Sequence, residues 1–153
     1  MLNLPAMSPT AGRPLAVLDA LSSLLESELQ SLFPQLEQLG AHLDRAHADL
    51  RRPLADMAAA SVRHAAELAG LIESLGGTPV AAVSHADDQY LNYLSFKFFL
   101  PKLIEACSLA IERYTNTLAA LTDAPESVTS LLRLHLADYR AQLAVLEQAA
   151  ARH

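Results

Sequence analysis

The chain has 153 residues and a net charge of −6, from 11 Lys and Arg against 17 Asp and Glu, and its only basic pair is Arg51-Arg52, a balance that disfavours a nucleic-acid partner. Ala and Leu dominate, Trp is absent and β-branched residues are scarce, which predicts an all-α protein of one domain, long enough to bury a core without disulfides or a structural metal. Cys107 is the only cysteine, so an internal disulfide is excluded and a reducing compartment, the cytoplasm, is expected.

Residues 1–13 carry prolines and no charged region leading into an apolar stretch, and read as a flexible tail instead of a signal peptide, followed by one domain over 14–153. No uninterrupted apolar run reaches membrane-spanning length. From Pro14 the apolar residues Leu18, Leu21, Leu25, Leu32, Leu36, Leu39 and Leu43 recur at helical spacing, predicting a first helix that bends at Pro34 and ends between Asp44 and Asp49. Pro53 suits the first turn of a second helix, with Asp49 as an available cap. That helix runs to Leu75 and is closed by Gly76, Gly77 and Thr78-Pro79.

Residues 80–88 read as a long connection, which lets the second and third helices lie parallel. The third helix is expected over 87–121, with Leu94, Leu100, Ile104, Cys107, Ile111, Tyr114, Leu118 and Leu121 on one face and an early interruption at Pro101. Tyr90, Tyr93, Phe96, Phe98 and Phe99 crowd its start. After a turn at Asp123-Ala124-Pro125, a fourth helix runs from Glu126 to Ala150, with Leu132, His135, Tyr139, Leu143 and Leu146 inward. The sum is an antiparallel four-helix bundle with one crossover.

Each helix places a polar or ionisable residue where its stripe calls for an apolar one: Glu28, His64 with Ser61, Cys107, and His135. Their distances from the helix ends put all of them near mid-bundle, where they could share a layer. A buried unpaired carboxylate costs several kcal/mol, so Glu28 requires a partner such as Tyr114 or His64, or a route to solvent. A neutral core imidazole, a small buried thiol and a serine bonded to its own turn are the plain structural readings of the others.

The second helix, SVRHAAELAGLIESLGGTP from Ser61 to Pro79, resembles the ferritin-like superfamily, in which bacterioferritins and rubrerythrins carry a Glu-x-x-His helix closed by a similar Gly and Pro turn. Glu28 falls at the first-helix ligand position and His135 at that of the fourth, so the likeness covers about residues 15–146. The resemblance implies a ferritin-like antiparallel bundle with a long crossover between the second and third helices. It also implies a di-iron centre held by two Glu-x-x-His helices and two further glutamates. Here Ser61 and Leu132 stand where the bridging carboxylates would be, and the third-helix position aligns with Cys107. What is left, Glu28, His64, Cys107 and His135, suits at most a single zinc or iron ion.

Two functions follow as expectations. One is a bundle that has lost the di-iron ferroxidase centre and serves as a binding or interaction module. The other is a metal-binding protein with an altered site, drawing on Glu28, His64, His135 and Glu105 or Glu112, in iron handling or oxidative-stress defence. An apolar content of 52% favours a homodimer, and the aromatic cluster with Tyr90, Phe96 and Phe99 offers a surface for a small apolar ligand or protein partner.

Overall fold

A computed structural model describes residues 9–36, 43, 45–80 and 96–152. Within them the chain forms four long α-helices and no strand: α1 Pro9–Leu29, α2 Arg51–Ser74, α3 Phe96–Ala120 and α4 Glu126–Arg152, with 3-10 turns at Phe33–Gln35 and Arg45–Leu50. The expected connection over 80–88, the start of the third helix and Tyr90 and Tyr93 lie outside the described residues but for Val80.

α1 departs from expectation at both ends. It begins at Pro9, inside the expected tail, at a position where a missing N–H costs nothing. It ends at Leu29 instead of bending at Pro34 and continuing to 44–49, and Pro34 lies in the 3-10 turn that follows. Proline cannot donate to the fourth carbonyl before it and disfavours helical geometry in the residue it follows, so the α-helix stops short. Asp49 does not cap α2. The residue before α2 is Leu50, which makes no side-chain cap, and Asp49 instead meets Arg152 at 3.4 Å.

The far end of α2 closes as the glycines predict. Gly76 takes φ +88°, its N–H donates to the Glu73 carbonyl at 3.0 Å, and the Gly77 N–H reaches back to Ile72 at 2.9 Å, the paired bonds of a Schellman cap. A Cβ on Gly77 would meet Leu18 Cδ2 at 2.8 Å, so the missing side chain lets this end lie against α1. α3 continues through Pro101, which is exposed and near the helix start, where a lost backbone bond can be replaced by water.

The core is a leucine-rich seam. Leu21, Leu24 and Leu25 of α1 share it with Leu54, Leu68 and Ile72 of α2, Phe99, Leu103 and Cys107 of α3, and Val128, Leu132 and Leu146 of α4. Each such side chain contributes about 1.5–3 kcal/mol when taken fully out of water. The buried stripe of α3 passes through Leu103, Cys107, Ala110 and Tyr114, leaving Ile104 and Ile111 half-buried on its flank. That of α2 passes through Leu68 and Ile72 with Leu71 and Leu75 beside it.

Contacts fix the helix directions. Asp49 meets Arg152, Arg63 meets Asp138 and Glu67 meets His135, so α2 and α4 run antiparallel. Leu18 lies by Gly77 while Glu28 bonds Ser61, so α1 and α2 are antiparallel as well. The short turn at 121–125 folds α3 back along α4. No helix among the described residues is long and apolar enough to cross a membrane. Among the described residues the exposed large apolar side chains are Leu15, Val62, Phe98, Leu109 and Leu134, spread over all four helices, and Val80 beyond the end of α2.

Candidate functional site

The residues that break the apolar stripes converge. Glu28 is 4% exposed, Ser61 2%, His64 0% and His135 1%, and all four are tied to one another directly or through Tyr114 and Tyr139. Helical spacing explains the gathering, since Ser61 with His64 and His135 with Tyr139 stand one turn apart on inward faces. Glu28 comes from the last turn of α1. That is an unfavourable end of the helix dipole for a carboxylate, and the Ser31 hydroxyl there donates to the Glu28 carbonyl at 2.9 Å.

Glu28 is the hub. The phenols of Tyr114, at 3.0 Å, and of Tyr139 both donate to Oε1, and the Ser61 hydroxyl donates to Oε2 at 3.3 Å. His64 Nδ1 stands 3.6 Å from Oε1, too far for a hydrogen bond but close enough for attraction. Burial, and secondly the neighbouring Glu28 charge, push both tyrosines far above the ordinary phenol value, so they stay protonated donors.

The two histidines stack, with ring centroids 4.0 Å apart and planes 30° from parallel. Each faces a carboxylate from the other's helix. His64 of α2 bonds Asp138 of α4 through Nε2 at 2.8 Å, and His135 of α4 has Nε2 3.4 Å from Glu67 of α2. Arg63 spans the two acids, with Nε 3.3 Å from Glu67 and Nη2 on Asp138. Burial works against charge on both rings. For His64, Glu28 and Asp138 outweigh it and raise the pKa above 6.5, whereas His135, desolvated and then opposed by a charged His64, drops to about 4. Between about pH 4 and 6.5 the pair therefore carries one positive charge, on His64. Because Tyr114 spends its only hydrogen on Glu28, its oxygen accepts from His135 Nδ1 at 3.0 Å, which assigns the proton of neutral His135 to Nδ1. Nε2 of His135 is then a lone pair, in keeping with its lack of a hydrogen-bond partner.

Of the four metal-ligand candidates, Glu28, His64 and His135 come together. Cys107 is fully buried two turns before Tyr114 on the α3 stripe and makes no hydrogen bond among the described residues. Burial pushes its thiol up to about 12. Glu105 and Glu112, the alternatives on α3, are exposed. Leu132 is fully buried in the apolar core. Among the described residues no group of three or more His, Cys, Asp or Glu side chains is arranged to hold a metal ion.

Sequence reading missed Arg63, Glu67 and Asp138. The signal was there: His64-Ala65-Ala66-Glu67 and His135-Leu136-Ala137-Asp138 both place an acid three residues after the histidine. A Glu-x-x-His pattern puts the acid three residues before the histidine, in the opposite direction along the helix. No protein-family model, curated protein or solved structure matches this chain.

Proposed function

We propose that this chain is a ferritin-like bundle that has given up the di-iron centre and works as a binding module around a closed polar core. The directions of the helix pairs support the ancestry: with α1 against α2, and α2 and α3 both against α4, the second and third helices point the same way, as a long crossover requires. The observation that carries the loss of the centre is the state of Glu28. Three hydroxyl donors take three of the four lone-pair sites of the carboxylate and leave one on Oε2, room for a single further hydrogen bond and not for a glutamate that chelates a metal. A cation and an O–H hydrogen cannot share one lone pair. Ser61 and Leu132 supply no bridging carboxylate, so the side chains do not fit two hard cations.

What the core does instead is hold shape and charge. His64 and Arg63 offset two of the three negative charges of Glu28, Glu67 and Asp138, so the bundle holds its buried carboxylate with its own side chains. Elemental analysis of protein purified without chelators tests this, with iron and zinc expected well below one per chain and ferrous iron oxidised no faster than in a blank. Stoichiometric metal, or oxidation well above the blank, would establish the altered metal site instead. Replacing His64 by Ala is expected to lower stability, since Asp138 and Glu28 lose their shared cation.

A further inference from the structure

α1 and α3 meet only lightly, and a cavity of about 240 Å³ opens between them beside the polar core. Its walls include Leu24, Phe33, Ala106 and Leu109, and its buried end is formed by Glu28, Tyr114 and Tyr139. Arg113 stands at the solvent end. The single formal charge at the buried end is that of Glu28. Its Oε1 accepts two phenol hydrogens, whereas Oε2 accepts only Ser61 at 3.3 Å and keeps acceptor capacity.

We propose that this cavity binds a small primary amine, its ammonium group donating to Glu28 and its apolar body lying against Leu24, Phe33 and Leu109. The proposal rests on the reading of the bundle as a binding module and gives that module a ligand class. An anion of the same shape would meet the Glu28 carboxylate with no cation beside it in the cavity's buried end. A neutral hydrocarbon would strip water from the carboxylate and return no hydrogen bond. A second positive group at the solvent end would meet Arg113, so a monoamine fits better than a diamine.

Isothermal titration with 2-phenylethylammonium tests the proposal. The expected result is one site with a dissociation constant on the order of 0.1–1 mM, as ligand efficiency allows for so small a molecule. 3-Phenylpropionate should bind at least tenfold more weakly. Leu109→Trp fills the cavity from its exposed wall without touching the polar core, and should abolish amine binding while leaving the circular dichroism spectrum unchanged. Equal binding of the acid, undiminished binding by Leu109→Trp, or no binding by a folded protein of low metal content would overturn the proposal. The last outcome would leave the metal-free reading standing, and stoichiometric metal would remove that reading independently.

Discussion

Glu28 concentrates the energetic stakes of the molecule in one side chain. Removing it by Glu28→Ala leaves two buried phenols without an acceptor and His64 without one of its counter-charges, and should cost about 3–5 kcal/mol in equilibrium urea unfolding. Tyr139→Phe removes one charge-assisted bond and should cost about 1.5–3 kcal/mol. The histidines give the pH response two limbs. The His64 pKa is raised by folding, so its contribution is present in full below 6.5 and is lost as pH climbs through the raised value. His135 is lowered to about 4, so between 6.5 and about 4 the unfolded chain takes up a proton that the native state refuses, and stability falls as pH drops through that window. Unfolding midpoints across the pH range should peak near 6.5, with His135→Gln flattening the acid limb and His64→Gln the alkaline one. The sequence showed that Glu28, His64 and His135 were misplaced polar groups. It did not show which acids answer the histidines, because that depends on which helices stand side by side.

Among the elements, α2 was the most legible. Its stripe, its N-terminal proline and its double glycine all act locally, and the cap at Gly76 forms as the residues predict. Gly76→Ala puts a Cβ on a residue at φ +88° and should cost about 1 kcal/mol, lowering the melting temperature by about 2–4 °C in a scanning calorimeter. α1 was less legible for an equally physical reason. Leucines recur past Leu29 at helical spacing, and periodicity alone cannot tell a bent helix from a helix followed by a 3-10 turn. Pro34 decided for the latter. The consequence reaches the core, because ending α1 at Leu29 puts Glu28 in the final turn, where the Ser31 hydroxyl can secure its carbonyl and its side chain can enter the centre of the bundle. In α3 the leucine and isoleucine pattern was broad enough to admit two neighbouring stripes, and the packed one was selected by Cys107, Ala110 and Tyr114.

At the scale of the whole molecule, an all-α chain of four helices was readable from composition and punctuation, whereas the pairing of those helices is a property of side chains far apart in sequence. If the bundle descends from a metal-binding one, putting both bridging acids back should restore a demand for metal. The double variant Ser61→Glu, Leu132→Glu buries two further carboxylates, the first of them beside Glu28, and should be less stable than the native chain in chelator. Addition of ferrous iron or zinc should raise its melting temperature by several degrees and leave that of the native chain unchanged, as thermal scans with and without metal would show. The bonds that His64 and Arg63 of α2 make to Asp138 of α4 have one more effect, on alignment. Two leucine seams can slide past each other by a turn, about 5.4 Å, and still find leucine opposite leucine. A buried histidine that requires an acid carried by the other helix cannot. A slide in either direction would strand it, so His64 acts as a pin that admits α2 and α4 at a single axial offset.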